Sequence, residues 1–282
     1  KKQKVSMHMP AHKGKFPALG GIQNFDITEI PDTGSLFDGE GATALAEAQA
    51  QKLFGSAATF MSAGGCTLCI QAMFRAAAPH GGKVVCGRVV HRSAVNAMSL
   101  LGIKPVWVLP DSSAGELFSG RITAEGVHRA LEKTPEAKAV YITSPDYFGV
   151  ISDVKSIAAV AREFGVPLLV DCAHGAHLKF LEKDISPLNL GAAMSAESAH
   201  KTLPVLTGGA WLQIGDESFV PEIRRAMALF GSTSPSYPIM ISLDLARDWL
   251  ENNADEFIRL SRRVKKTKKL CRSLGLILPE GE

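Results

Sequence analysis

The chain has 282 residues, of which 46% are hydrophobic and 21% charged, a composition that fits a globular protein with one large domain. Its formal net charge of +3 is too small to favour nucleic acid as a partner, and no apolar stretch approaches the ~20 residues needed to span a membrane. Five cysteines in a chain of this length do not indicate a disulfide framework, and no secretory signal follows the basic residues 1–4, so a cytoplasmic location is expected.

Short apolar runs alternate with longer helical patterns, which favours a mainly parallel sheet covered by helices on both faces. We therefore predict a three-layer α/β/α domain over residues 41–230 with a seven-stranded sheet, after an N-terminal arm and loop over 1–40. Residues 231–282 are predicted as a connecting loop and a long helix. The predicted strands are 57–61, 83–88, 105–109, 139–143, 167–170, 193–196 and 210–214. The predicted helices include 43–53, 69–78, 94–101, 124–133, 157–164 and 244–274.

Residues that could bind a ligand follow the predicted strands, at the strand ends where parallel sheets bind ligands. The glycine turn at 62–67 precedes a helix, whose N-terminus suits a phosphate, although such turns are also ordinary strand-to-helix connections. His91 opens the next helix, either as a cap or as a ring that stacks on a planar cofactor. These strand ends together predict one shared site.

An acid and a lysine follow two later strands. Asp171 ends an apolar run, and Lys201 comes 30 residues later, after a second apolar segment. Many pyridoxal-phosphate (PLP) enzymes use such a lysine to form a Schiff base and such an acid to pair with the pyridinium nitrogen. Each residue alone has a simpler explanation, a solvated charge for Lys201 and a helix cap for Asp171.

Other residue pairs have spacings that suggest metal or redox chemistry, but no further ligands complete them. We therefore predict no metal site and no redox function. The pairs are Cys66 with Cys69, His8 with His12, and His174 with His177. A basic run over 262–269 is most simply the solvated face of a helix.

Eight short blocks occur in a fixed order over nearly the whole chain. They are PAHKG at 10–14, DITEIP at 26–31, LFG at 53–55, HRS at 91–93, TSP at 143–145 with Tyr147 and Gly149, VD at 170–171 with AHG at 173–175, SAHKTL at 198–203 and TSPSY at 233–237. In content and order they resemble the Orn/Lys/Arg decarboxylases, a family of fold-type I, aspartate aminotransferase-like PLP enzymes.

The resemblance implies a role for individual residues. Lys201 would carry PLP as a Schiff base, and Asp171 would face the pyridine nitrogen. His91 would stack on one face of the ring with Ala173 against the other, while His200 would lie close to cofactor and substrate. The remaining cofactor contacts would come from Gly65, Cys66, Thr67, His174, Ser198 and Thr233.

The resemblance also implies an activity and an assembly. The reaction would be decarboxylation of lysine, ornithine or arginine to the matching amine, as in polyamine biosynthesis. In the family the position of Thr233 reaches a neighbouring subunit's phosphate site, so a homodimer or larger homo-oligomer with shared active sites is expected. The substrate's side-chain cation should meet a carboxylate, for which Glu29, Asp32 and Asp146 are candidates by location.

The chain departs from the family pattern at several points. Cys172 stands where a Glu is common, Thr67 is the one hydroxyl residue of the phosphate loop proper, and the chain stops where a small C-terminal domain should begin. That domain is therefore expected to be truncated or absent. Two alternatives stay open: another fold-type I PLP reaction, such as an aminotransferase, aldolase or lyase, and a non-catalytic paralogue.

Overall fold

A computed structural model describes residues 9–15, 17–30, 33–111 and 120–278, and in these ranges the apolar runs form one seven-stranded sheet. The strands are β1 (Ala58–Ser62), β2 (Gly82–Gly87), β3 (Ile103–Val108), β4 (Val140–Thr143), β5 (Leu168–Asp171), β6 (Met194–Glu197) and β7 (Ala210–Ile214). The helices are α1 (Gly41–Phe54), α2 (Gly65–Ala77), α3 (Arg92–Leu100), α4 (Ala124–Glu132), α5 (Val154–Glu163), α6 (Ala199–Thr202), α7 (Val220–Phe230), α8 (Tyr237–Asn253) and α9 (Asp255–Ser273). Short 3-10 turns lie at Pro17–Leu19, Ile22–Asn24, Leu178–Phe180 and Glu217–Phe219.

The strand order is β1-β7-β6-β5-β4-β2-β3, with β7 antiparallel to both of its neighbours and the other pairs parallel. Successive side chains point to opposite faces, so both faces need apolar residues. Val140 and Ile142 of β4 pack with α4 and α5, whereas Tyr141 between them packs on the side of α2 and α3. The predicted mainly parallel α/β/α sheet is confirmed, and each predicted strand is present within two residues of its expected ends.

The predicted single helix over 244–274 is wrong, because the chain forms two helices that meet at Ala254. Asn252 and Asn253 donate their side-chain amides back to the carbonyls of Asp248 and Trp249, four residues earlier, where such bonds compete with the helical backbone bonds of α8. Asp255 and Glu256 then follow in the first turn of α9, where acidic side chains favour a new helix N-terminus.

Helix α7 was not predicted, although its sequence carries a helical pattern. Its buried residues Ile223, Ala226 and Met227 are spaced i, i+3 and i+4, and Pro221 lies in its first turn. These side chains cover the same face of the sheet as α2. The helix therefore forms because one apolar stripe can be buried there.

A buried carboxylate covers the open edge of the sheet. Glu47 of α1 accepts a hydrogen bond from the backbone N–H of Met61 in the edge strand β1, at 3.0 Å. Burial raises the pKa of Glu47 to about 7, against the opposing effects of this bond and of Arg224. An edge N–H that would otherwise be unpaired is thus satisfied, and α1 is held against the strand.

Candidate active site

Asp171, the last residue of β5, lies at the centre of the strand-end edge and is 1% exposed. Its Oδ1 accepts the backbone N–H of Ala173 at 3.1 Å, and its Oδ2 accepts the hydroxyl of Tyr141 at 3.2 Å. Burial raises the pKa of Asp171, opposed by these two hydrogen bonds and then by the charges of Lys201 and His91. Such a carboxyl is well suited to pair with one more cationic N–H group, which would keep it ionised.

Tyr141 was missed by the sequence reasoning. It lies inside β4, where its ring stacks on Phe74 with the ring centres 4.7 Å apart, and its hydroxyl reaches Asp171 from the neighbouring strand. A signal for it exists in the sequence, because a tyrosine in an otherwise apolar buried strand needs a partner for its hydroxyl. Tyr141 therefore fixes the orientation of the Asp171 carboxylate.

Lys201 lies in the short helix α6, where it is exposed. Its Nζ is 3.1 Å from Nε2 of His174, a residue predicted as a cofactor contact. Burial lowers the pKa of His174, and the nearby charge of Lys201 lowers it further. The ring of Tyr147 meets the His174 ring edge-on with centres 6.0 Å apart. At neutral pH His174 is therefore an uncharged acceptor for the lysine.

Hydrogen bonds orient the rings of two further histidines of the site, His91 and His200. His91 caps α3, with its Nδ1 accepting the backbone N–H of Ser93 at 3.2 Å, so the predicted cap is present and the ring is exposed. Nδ1 of His200 is 3.0 Å from the carbonyl oxygen of Gly209 and donates to it. Nε2 of His200 is therefore left as the acceptor.

The turn after β1 has the donors that a phosphate group needs. Gly65 opens α2 with φ +66°, a conformation that favours glycine, and donates its N–H to the carbonyl of Gly208 at 2.8 Å. The following N–H groups of the first helical turn have no acceptors within the helix and lie at its positive end. The hydroxyl of the buried Ser198 contacts Cys66, and this contact links the turn to the segment that carries Lys201. Thr67, the next residue of the turn, is exposed.

Thr233 lies exposed in the loop between α7 and α8. Its neighbours Ser232 and Ser234 share a cavity of about 260 Å³ with Gly64 and Thr67 of the phosphate turn. The loop that carries Thr233 therefore lies beside the chain's own phosphate turn.

Asp146, one of the candidates for binding the substrate's side-chain cation, bonds through one carboxylate oxygen to its own turn. It is buried, and its Oδ1 accepts the backbone N–H groups of Phe148 at 2.8 Å and Val150 at 2.9 Å, which closes the turn after β4. Glu29 is half-buried and accepts the Thr28 hydroxyl at 3.1 Å. The third candidate, Asp32, lies outside the described residues, as does His8 of the histidine pairs.

Glu197, which ends β6, is a second buried acid next to the Lys201 segment and was not predicted. It points to the opposite face of the sheet from Asp171, because its neighbour Ala196 pairs with Asp171. Burial raises the pKa of Glu197 to about 8, against the effects of hydrogen bonds from Gln213 and Ser195. The side chain is therefore a neutral acid at neutral pH.

Cys66 and Cys69 have the buried surroundings of structural thiols. Burial raises the pKa of Cys66 well above its ordinary value, which makes a thiol unreactive. Within the described ranges, no three His, Cys, Asp or Glu side chains cluster so as to hold a metal ion. Nor does that part of the chain contain a helix long and apolar enough to cross a membrane.

Comparison with known proteins agrees with this geometry. The sequence model of the family described as "Orn/Lys/Arg decarboxylase, major domain" matches residues 19–274. The chain belongs to this family. One relative is the uncharacterized protein YaaO of Bacillus subtilis, which is 34% identical over 89% of this chain and 54% of YaaO. Another is the arginine decarboxylase of the same organism, which is 31% identical over 94% of this chain and 57% of that relative. The chain thus spans little more than half the length of the curated relatives it matches.

Solved structures confirm the fold. The lysine decarboxylase LdcF of Francisella novicida superposes with a TM-score of 0.81 at 21% identity, covering 96% of this chain and 42% of LdcF. A structure of SPT with a PLP internal aldimine superposes with a TM-score of 0.69 at 16% identity, and the match covers 88% of this chain and 63% of the SPT chain. The fold is therefore that of the fold-type I PLP enzymes.

Family and fold imply PLP as the cofactor, and the residues present fit it. The helix start at Gly65 and the hydroxyls of Thr67 and Ser198 suit a phosphate. The buried carboxylate of Asp171 suits a pyridinium N–H, and Lys201 supplies a primary amine at the same edge.

Proposed function

We propose that the chain is the cofactor-binding part of a PLP-dependent decarboxylase that converts lysine, ornithine or arginine to the matching amine and carbon dioxide. The observation that carries the proposal is the common location of a buried, oriented carboxylate, Asp171, and a lysine, Lys201, whose charge acts on it. The relatives named arginine and lysine decarboxylase support this reaction class.

When bound, PLP supplies an electron sink for the electrons left behind as the substrate loses carbon dioxide. Residues of the chain hold the cofactor so that it can accept these electrons. Asp171, held by Tyr141 and Ala173, keeps a proton on the pyridine nitrogen through charge pairing in a desolvated site. Lys201 provides the amine that attaches the cofactor, and the start of α2 binds its phosphate.

Other residues control geometry and water. The ring of His91, fixed by Ser93, and the buried Ala173 would hold the two faces of the cofactor ring. His200, with Nδ1 bonded to Gly209, turns Nε2 towards the substrate side. Thr233, through its exposed loop, completes the phosphate site of a neighbouring subunit.

Product analysis tests the proposal. The protein loaded with PLP is incubated separately with lysine, ornithine and arginine, and carbon dioxide and the matching amine are measured for each. Equal amounts of amine and carbon dioxide from one of the three support the proposal and identify the substrate. Product that requires a keto-acid acceptor favours an aminotransferase, and absence of any turnover favours a non-catalytic paralogue.

The proposal includes a cytoplasmic location and a contribution to polyamine biosynthesis. All five cysteines are unpaired thiols, which suits a reducing compartment. The amines formed from basic amino acids are the starting materials of polyamines, which gives the product a use in the same compartment.

Assembly provides a separate prediction. Because the proposal has Thr233 complete a neighbour's site, the active form should be a dimer or larger, with an interface above ~1,000 Å². Sedimentation of the PLP-loaded protein at assay concentration should show no active monomer. A monomer with full specific activity would rule out shared sites, and Thr233→Ala should weaken PLP binding without changing the fold.

A further inference from the structure

Among the described residues, the contact between Lys201 and His174 joins the two segments that supply the lysine and the acid of the site. His174 comes three residues after Asp171, and its Nε2 lies 3.1 Å from the Nζ of Lys201. No role in holding the lysine has been assigned to it above. The contact is therefore a specific feature of this chain that needs an explanation.

The chemistry of the two groups determines which way the contact works. A lysine ammonium has three N–H donors and no acceptor, so the imidazole nitrogen facing it must be the acceptor. His174 is half-buried, and burial and the charge of Lys201 favour its neutral form. The uncharged ring thus offers a lone pair to the ammonium.

Further charged groups face His174. Asp146 and the Pro145 carbonyl favour its protonated form, whereas His91 opposes it. Tyr147 contacts the ring edge-on. The groups that disfavour an imidazolium dominate, so the ring is available as an acceptor through the neutral range.

We infer that His174 is a positioning residue for Lys201, which holds the lysine at the site through Nε2 and takes up one of its protons as the amine becomes free to attack the cofactor aldehyde. This inference rests on the proposed use of Lys201 to attach PLP. One proton moves from Nζ to Nε2, which leaves a neutral amine and an imidazolium. The imidazolium then returns its proton to water at the exposed side of the site, and no electrons are exchanged.

The test measures how fast PLP attaches to Lys201. Protein freed of cofactor is mixed with PLP between about pH 5 and 9, trapped with borohydride, and digested to quantify labelled Lys201. In His174→Gln, which keeps a polar side chain but cannot exchange the proton, the rate should fall about tenfold at neutral pH. The wild-type pH profile should show an extra inflection below pH 6.5, from protonation of His174, that the variant lacks.

Controls separate this role from a structural one. His177→Gln makes the same change three residues away, where the ring stacks on Phe257, and should keep the wild-type rate and profile. Free imidazole should partly restore the rate of His174→Ala. Reductive methylation of Lys201 with formaldehyde, without PLP, should show the same loss of the inflection in His174→Gln.

The outcomes distinguish the inference from the proposed function. If His174→Gln matches the wild type in rate and pH profile, or if His177→Gln changes both to the same extent, the inference is overturned while attachment at Lys201 stands. If wild-type protein carries no label on Lys201 at any pH, the proposed function itself fails. Circular dichroism of each variant shows whether a change reflects lost folding.

Discussion

Replacing Asp171 with Ala is expected to lower turnover at least about 100-fold, equivalent to ~3 kcal/mol of transition-state stabilisation. The carboxylate is buried and aimed by Tyr141 and Ala173, so its removal leaves the pyridine nitrogen without a partner that keeps it protonated. Attachment of PLP to Lys201 needs no such partner and should survive. Steady-state kinetics at saturating PLP measure the loss in kcat.

Two further variants sharpen this prediction. Tyr141→Phe keeps the carboxylate and removes one of its hydrogen bonds, so its loss should be much smaller than that of Asp171→Ala. Asp171→Asn keeps the shape and removes the charge, so it should be nearly as damaging as Ala. A folded Asp171→Ala protein with near-normal turnover would reduce Asp171 to a structural residue.

Glu197→Gln is expected to stabilise the protein by about 3 kcal/mol at pH 7. The pKa of Glu197 is raised from 4.5 to about 8 by burial, so the folded state keeps a proton that the unfolded state has lost. The contribution of Glu197 to stability is therefore largest below about pH 4.5 and is lost as the pH rises through about 8. Gln has the shape of the neutral acid and does not titrate, which removes this loss.

Urea denaturation at several pH values checks this result. The difference in free energy of unfolding between Glu197→Gln and wild type should grow from pH 5 to pH 8. Glu182→Gln is the matched control, because Glu182 is exposed and pairs with Arg262 at the surface, and it should show no such growth. A constant difference across the range would mean that Glu197 is ionised in the folded protein.

The sheet was predictable from the sequence because each buried strand is a continuous apolar run, and strand ends at Asp171 and near Lys201 follow from where those runs stop. The break at Ala254 was not predictable, since residues on both sides of it have helical patterns, and the side-chain bonds of Asn252 and Asn253 next to it are local. Local side-chain hydrogen bonds of this kind are not read from apolar periodicity.

The sequence likewise predicted some features of the candidate site and not others. Motif blocks identified Asp171, Lys201 and His174, but only the three-dimensional arrangement shows the contacts from Tyr141 to Asp171 and from His174 to Lys201. The hydrogen bonds from the turn after β4 to Asp146 were likewise not predictable, because a location after a strand does not show which backbone groups a carboxylate accepts. Long-range contacts and burial, rather than residue type, decide these roles.

Borohydride reduction of the PLP-loaded protein, followed by peptide mapping, tests the central claim most directly. The account predicts that the reduced cofactor is found on Lys201, the lysine that contacts His174 and whose charge acts on Asp171. Lys201→Ala should then lose both the label and catalysis while keeping its fold. A label on another lysine, or no label with cofactor in excess, would contradict the assignment of this site as the active site of a PLP enzyme.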